Sequence, residues 1–385
     1  MTRRTKSLAS IALLLIVSVP LRAAWTTKRL TNDSAASLEP AITIDGPDVY
    51  VVWSHETPGL RNIYFKNSSN GGATWQGLQR LTKNSLNSRN PKIAANGSSI
   101  YVVWEDHAPA QEGIYFRRSL NGGATWKSAR RLTNSPVFAW RPAIAVSGSN
   151  VYVAWSDIVS GNYEIYFRKS ADSGATWQST ERLTNNSGSS DNPALAVSGS
   201  NVYIVWKDNT LREHEEIYFR KSPNGGATWQ SAQRFMEYTG TSLHPTVTAG
   251  GSNVYVAWHH YMTENSEIYF TRSSDRGATW QSIQRLTKNS GASGAAELAV
   301  SGSNIYITWY DNTPGNYEIY FRKSADGGTN WAGAQRLTTN SGKSQVPAIA
   351  ADDSNLYVVW DDDTPGNFEI YIAFIRFPTG SSRGG

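Results

Sequence analysis

Residues 170–177 read SADSGATW, and close variants of this octapeptide occur at five other places in the chain. Each copy has Asp or Asn at its third position and glycine at its fifth. A short polar side chain can bond to the turn backbone and glycine can adopt positive φ, so the motif is typical of a tight hairpin. The other copies begin at residues 68, 119, 222, 273 and 324.

A second marker sets the period of the repeat. The triplet RLT, once RFM, follows each hairpin and also precedes the first one, and by subtraction its arginines lie 51 or 52 residues apart. Self-similarity at this spacing predicts an array of identical supersecondary units that share one continuous core. The arginines are Arg29, Arg80, Arg131, Arg182, Arg234, Arg285 and Arg336.

Each unit contains four short segments with the alternation and composition of β-strands. A four-stranded meander has two faces to cover, and packing copies around an axis covers both, so the predicted fold is an all-β propeller. The second strand, of the form VYxxW with Ile or Leu in place of Val in three copies, occurs seven times, which predicts seven blades. Its tryptophans are Trp53, Trp104, Trp155, Trp206, Trp258, Trp309 and Trp360.

The last unit ends without a fourth strand, and the missing strand is predicted at the other end of the chain. Ala24 and Trp25, followed by Arg29-Leu30-Thr31, imitate the segment that follows each hairpin. We therefore expect this N-terminal strand to pair with the last blade and close the ring, which removes two exposed sheet edges.

The first 23 residues have the layout of a secretory signal peptide: three early bases, an apolar run over residues 11–20 and small residues for cleavage. The sequence thus predicts a signal peptide at 1–23, one propeller domain at 24–377, a flexible tail at 378–385, and a secreted, extracellular or periplasmic location. Subtracting the four bases of the leader from the 36 Lys and Arg leaves 32 against 31 acidic residues. No nucleic-acid partner, membrane insertion or cofactor is expected from this balance and composition.

The repeated octapeptide resembles the Asp-box, or BNR repeat, of the sialidase-like propellers, and the resemblance covers almost all of residues 24–377. It implies that the Asp-box is structural and lies on the face away from the functional site. Sialidases have six blades and use three arginines to hold the substrate carboxylate, whereas this chain has seven predicted blades. Its nearest approach to the sialidase arginine motif is Arg141-Pro142.

Departures from the internal consensus mark the candidate binding residues, because antiparallel topology places the variable loops together at the other end of the ring. Of the 15 tryptophans only Trp140 is out of register, and it precedes Arg141. An exposed tryptophan can stack on a sugar ring while the neighbouring guanidinium donates hydrogen bonds to the sugar hydroxyls. Alternatively, the tryptophan is a loop residue that fills the opening of the ring. His259, His260 and Tyr261 replace consensus residues, and His244 precedes an inner strand.

The residues just before the inner strands are expected to rim the central channel. They share no single chemistry, which suits either a polar ligand or a water-filled channel. The histidines cannot all converge, so no metal site is expected. The predicted rim consists of Glu39, Asn90, Arg141, Asn192, His244, Ala295 and Val346. The aspartates two residues after the strand tryptophans, in contrast, are expected to cap turns.

The predicted ligand-binding set is Trp140, Arg141, His244, His259, His260, Tyr261 and Glu39, with no catalytic residue assigned. The leading interpretation is a non-catalytic propeller that binds carbohydrate, or a cell-surface protein, through the variable face. Two alternatives remain open, a sialidase-type exo-glycosidase and an extracellular structural or assembly protein; the oligomeric state is not predicted.

Overall fold

The computed structural model describes residues 24–83, 87–109, 111–133, 139–158, 161–211, 214–235, 240–262 and 265–377. The predicted signal peptide at 1–23 and the predicted tail at 378–385 lie outside these residues. In the described part of the chain, no helix has the length and apolar character needed to cross a membrane.

Seven four-stranded antiparallel sheets form the predicted seven-bladed propeller. In blades 1 to 6 the strands follow the chain from the inner to the outer edge. The strands of blades 1 to 3 are β2 (Ala36–Asp45), β3 (Asp48–Thr57), β4 (Leu60–Ser68), β5 (Gln79–Arg80), β6 (Ser88–Asn96), β7 (Ser99–Asp106), β8 (Gly113–Ser119), β9 (Arg130–Arg131), β10 (Ala139–Ser147), β11 (Asn150–Ile158), β12 (Tyr163–Ser170) and β13 (Glu181–Arg182). Those of blades 4 to 6 are β14 (Ser190–Ser198), β15 (Asn201–Asp208), β16 (Glu216–Ser222), β17 (Gln233–Arg234), β18 (Thr241–Gly250), β19 (Asn253–Tyr261), β20 (Ser266–Ser273), β21 (Gln284–Arg285), β22 (Ser293–Ser301), β23 (Asn304–Asp311), β24 (Glu318–Ser324) and β25 (Gln335–Arg336).

Blade 7 combines the two ends of the described chain, as predicted. Its strands are β26 (Ser344–Ala351), β27 (Asn355–Asp362), β28 (Glu369–Arg376) and the N-terminal β1 (Thr26–Arg29), in the order β1-β28-β27-β26. The Leu30 amide donates to the Ile370 carbonyl at 2.7 Å, and Arg29 forms an ion pair at 2.8 Å with the buried Glu369. Trp25 packs edge-on against Phe321 of blade 6, so blade 7 is locked to its neighbour by the closing segment.

The core lies between adjacent blades and is built mainly from the second strands. The VYxxW pattern is buried throughout, and its seven tryptophans are at most 2% exposed. Each tryptophan stacks on the tyrosine opposite it in the third strand, as Trp155 does on Tyr166 with ring centroids 6.2 Å apart. Both faces of the strand are apolar because each face is covered by a neighbouring blade.

The octapeptide hairpins are turns, as predicted. In the copy at residues 170–177, Ser170 Oγ accepts the Gly174 amide at 2.8 Å, and Asp172 Oδ1 accepts the Thr176 amide at 2.8 Å. Trp177 then packs edge-on against Phe116 of the preceding blade, with ring centroids 4.9 Å apart. The motif therefore closes a hairpin and joins two blades at the same time.

Candidate functional site

The predicted rim residues all lie at a repeated irregularity of the inner strand. In each blade the register with the second strand shifts at this point, for example between Trp140 and Ala143. All seven rim residues have positive φ, between 47° and 59°, a conformation that non-glycine residues rarely adopt. Such bulges re-aim side chains, and six of the seven line a central cavity of about 590 Å³; Glu39 is the exception.

In four blades the residue after the second-strand tryptophan accepts the amide of the rim residue in the next blade. Glu105 Oε2 accepts the Arg141 amide at 2.6 Å, and Asp361 Oδ2 accepts the Glu39 amide at 3.0 Å. This position varies between blades although the tryptophan before it does not, and six residue types occur in the seven blades. It therefore varies the chemistry of the mouth, by which we mean the end of the cavity at the rim residues. The seven residues are Ser54, Glu105, Ser156, Lys207, His259, Tyr310 and Asp361.

A charged cluster occupies the mouth beside blades 3 and 4. Arg141 Nη1 lies 2.6 Å from Asp191 Oδ2, and Lys207 Nζ lies 3.7 Å from the same oxygen and also contacts Glu215. Arg141 remains partly exposed and lines the cavity. Burial and the charge of Asp191 raise the pKa of Tyr163, and the charge of Arg141 opposes this shift. The cluster can bond both hydroxyl and acidic groups of a ligand.

Two histidines lie in contact on the adjacent sector. The rings of His244 and His259 are 5.0 Å apart. Part of the His244 side chain is exposed to the channel. The inner strands nevertheless surround the ring, and this burial lowers the pKa of His244 to about 4. The cations Arg141, Lys207 and Lys92 lower it further. His244 is therefore neutral at physiological pH and can accept a proton or a hydrogen bond.

His259 is the buried partner that packs against His244. It is 2% exposed, and burial, together with His244 and His260, lowers its pKa to about 3. Its Nδ1 accepts the Ala295 amide at 3.4 Å, which is possible because the ring is neutral. His259 thus holds its neighbour His244 rather than facing solvent.

Three tyrosines form the aromatic part of the mouth. Tyr310 and Tyr317 line the cavity and pack edge-on with ring centroids 5.0 Å apart. Burial, with contributions from Tyr261 and Tyr317, raises the pKa of Tyr310 to about 12. Tyr261 is 42% exposed and packs against His259. These rings offer apolar faces with hydroxyl groups, the surface that sugars stack on.

The other predicted binding residues lie elsewhere. Trp140 is half-buried and packs edge-on against His107, with ring centroids 4.6 Å apart, so it lies beside the mouth rather than in the cavity lining. His260 is 1% exposed, and its Nδ1 lies 3.0 Å from Ser242 Oγ. It takes the place of the buried aspartate that bonds the same serine in other blades, such as Asp208 with Ser190. Of the predicted set, the structure brings His244, His259 and Tyr261 into contact, and Arg141 lines the same cavity as His244.

Glu39 belongs to the seam between blades 7 and 1. Its Oε2 accepts bonds from the Asn90 amide at 2.7 Å and from Ser54 Oγ at 2.9 Å. Its amide donates to Asp361, which is fully buried. Burial and the nearby Glu39 raise the pKa of Asp361 to about 8, so this carboxyl is largely protonated at neutral pH. Four of the five predicted turn caps are confirmed, because Asp106, Asp208, Asp311 and Asp362 each accept the amide two residues further on.

Several residues of the mouth escaped the sequence analysis, namely Lys92, Lys207, Tyr310 and Tyr317. The signal that could have revealed Lys207 and Tyr310 is variation at a repeat position that directly follows an invariant tryptophan. Arg141 is the one arginine among the described residues that line the cavity, so no sialidase-like group of three arginines forms there. Nor do three His, Asp or Glu side chains in the described ranges come together in a metal-binding arrangement.

A protein-family model described as a BNR repeat-like domain matches residues 144–358, more than half of the chain. No curated protein sequence matches this chain significantly. Among solved structures, an ulvan lyase bound to GlcA(1-4)Rha3S has a TM-score of 0.64 at 12% identity, covering 88% of this chain and 93% of its own. An α-L-arabinofuranosidase of Fusarium graminearum in complex with arabinobiose scores 0.54 at 15% identity, over 74% of this chain and 92% of its own.

A sialidase of Trypanosoma rangeli scores 0.50 at 12% identity, over 77% of this chain and 55% of its own. The propeller therefore resembles those of sialidase-like and polysaccharide-lyase proteins. At these identities the similarity concerns the fold.

Proposed function

The chain belongs to the BNR repeat-like domain family, and from that premise we propose that it is an exported propeller that binds carbohydrate at the channel mouth without transforming it. The observation that carries the proposal is the meeting of Arg141 with Tyr310 and Tyr317 around one cavity of about 590 Å³. Tyrosine faces can stack on the C–H faces of a sugar ring, and the charged cluster can bond its hydroxyls. Similar propellers bind the glycans named above, which supports this class of ligand.

The seven predicted residues have different roles in this proposal. Arg141, His244 and Tyr261 contact the ligand, because all three are accessible at the mouth. Trp140 adds a contact at the outer edge. His259, His260 and Glu39 act indirectly, by holding the loops and the seam on which the contact residues lie.

Binding to an array of plant, algal and bacterial glycans tests the proposal. We expect the wild-type chain to bind at least one class, and Arg141→Ala and Tyr261→Ala each to weaken that binding at least tenfold. Leu120→Ala is the matched control, since Leu120 is 44% exposed in a hairpin at the opposite end of the ring. Loss of binding in the control, or unchanged binding in both mouth variants, would refute this site.

A second candidate function is β-elimination on a uronic-acid polysaccharide, and the neutral His244 favours it. A neutral imidazole can remove the proton next to a uronate carboxylate, the surrounding cations can stabilise that carboxylate, and a neutral tyrosine can protonate the leaving oxygen. An absorbance assay for the unsaturated sugar product tests it. Turnover that disappears in His244→Ala would establish this activity, and no product from any uronate polymer would exclude it.

A further inference from the structure

The channel wall contains a second set of polar side chains, one step deeper than the rim. Two residues after each rim residue the chain places a side chain on this wall, and four of the seven positions are alanine. Three positions depart from this consensus and carry Lys92, Thr246 and Glu297. All three line the central cavity. The alanines are Ala41, Ala143, Ala194 and Ala348.

The two charged residues face each other across the ring. Lys92 lies on β6 of blade 2 and Glu297 on β22 of blade 6, which is three blades away, the largest separation that a ring of seven allows. Glu297 Oε2 accepts a hydrogen bond from Thr246 Oγ1 at 3.1 Å. Within the described part of the chain, Lys92 has no hydrogen-bonding acceptor and forms no ion pair with Glu297.

The two charged side chains nevertheless line the same cavity. Burial raises the pKa of Glu297, and the positive charge of Lys92 opposes that shift. The next residue of every inner strand is aliphatic, as with Ile93 and Leu298, and these side chains also line the cavity. A half-buried charge that no side chain pairs is costly to keep in such surroundings, and four blades show that alanine is accepted at this position.

We propose that this channel site binds a small zwitterion, with its carboxylate on the Lys92 ammonium and its ammonium group on the Glu297 carboxylate. A ligand with two opposite charges completes both ion pairs at once, whereas a simple anion is repelled by Glu297 and a simple cation by Lys92. The cavity is large enough for an amino acid or a dipeptide. This ligand is of a different chemical class from the proposed carbohydrate, and its charged partners lie deeper in the same cavity than Arg141, Tyr310 and Tyr317.

Titration of the intact chain with the standard α-amino acids and simple dipeptides, followed by calorimetry, tests the proposal. Each zwitterion is compared with its N-acetylated and its amidated form, which have lost one of the two charges. We expect at least one zwitterion to bind and both of its capped forms to bind at least tenfold more weakly. Equal binding of a capped form, or no binding by any zwitterion, would overturn the proposal.

The chain itself provides the matched variants. Lys92→Ala and Glu297→Ala restore the residue found in four other blades, so both should fold, and thermal unfolding confirms this. Each should weaken zwitterion binding at least tenfold. The charge exchange Lys92→Glu with Glu297→Lys should recover most of the affinity, because the ligand can bind in reverse. Unchanged affinity in the single variants, or no recovery in the exchange, would contradict the assignment.

Discussion

At the mouth, the hydrogen bonds and the pKa of a side chain depend on its neighbours more than on its residue type. His260 and Asp208 occupy equivalent places and both bond a buried serine, so an apparent departure from the consensus preserves the same contact. Asp361 and Asp362 are adjacent in one strand, yet burial beside Glu39 raises the pKa of the first, while hydrogen bonds lower the pKa of the second. Replacement of aspartate by asparagine is therefore expected to change the free energy of unfolding in opposite directions at the two positions.

Asp361→Asn should stabilise the protein at neutral and alkaline pH. The pKa of Asp361 is about 8 in the folded state, against an ordinary value of 3.8, so the folded state binds more protons between these pH values. The free energy of unfolding contributed by this group therefore falls as pH rises from about 4 to 8. An amide can still accept the Glu39 N–H and carries no charge, so we expect a gain on the order of 5 kcal/mol at pH 8 and little change at pH 4.

Urea unfolding at several pH values checks this expectation, with Asp362→Asn as the control. Asp362 Oδ2 accepts bonds from Ser344 Oγ at 2.6 Å and Asn340 Nδ2 at 2.7 Å, so its replacement should destabilise the fold at pH 8. If Asp361→Asn also loses stability at pH 8, the carboxyl is ionised and this explanation is wrong.

At the scale of the element, the hairpin and the bulge are the two devices that every blade repeats. The hairpin is polar and local, and its sequence predicts its structure because the bonds run between residues two to four positions apart. The bulge leaves a weaker mark in the sequence, since its rim residue ranges from asparagine to valine. Its left-handed conformation nevertheless recurs at all seven rim positions, whatever the residue type.

Ser170→Ala should destabilise the hairpin of blade 3. Ser170 is fully buried, and its Oγ accepts the Gly174 amide and donates to Asp172. Loss of this hydroxyl leaves a buried amide without its acceptor, which costs about 1 to 2 kcal/mol. Thermal or urea unfolding measures the effect, and Ser149→Ala, in the exposed turn next to this hairpin, should change stability by less than about 0.5 kcal/mol. Equal effects of the two variants would mean that the hairpin bond contributes nothing.

Val346→Asn should stabilise the bulge of blade 7. Val346 has φ of 48°, which is strained for a β-branched residue, whereas asparagine tolerates this region and already occupies the position in two blades. We expect a gain of about 1 kcal/mol in the free energy of unfolding. The reciprocal variant Asn192→Val should lose a similar amount. Changes of the same sign in both would show that backbone conformation does not control stability here.

At the scale of the whole molecule, ring closure determines both stability and the site. Strand β1 supplies the fourth strand of blade 7 and covers the edge of β28. Ring closure also brings blade 7 against blade 1, where Asp361 Oδ2 accepts the Glu39 amide beside the mouth. Stability and site geometry are expected to fail together when the seam opens.

A variant that lacks residues 24–31 should lose more than about 10 °C in its unfolding midpoint, and its exposed β28 edge should promote self-association. Calorimetry and analytical ultracentrifugation measure the two effects. A synthetic peptide of residues 24–31 added in trans should restore both. A truncated chain that remains monomeric and equally stable would show that the closing strand is dispensable.

The repeat alone was enough to predict seven blades, four strands in each, the closing N-terminal strand and the structural role of the octapeptide. These features depend on contacts that recur in every unit, so the period of the sequence reports them directly. The period also predicts the rim positions, because each occupies the same place in its unit, and six of the seven line the cavity. The period also identifies Trp140 as the one tryptophan out of register, yet Trp140 lies beside the cavity. The register of a repeat identifies an unusual residue but does not determine where its side chain points.

Only the tertiary structure could bring Arg141, His244, Tyr310 and Tyr317 to one mouth and place Lys92 opposite Glu297. These residues come from different blades, and their distances depend on the curvature of the ring and on the bulge that turns each inner strand toward the axis. The pKa values of His244 and Asp361 depend on the same assembly, because burial and neighbouring charges exist only once the ring has closed.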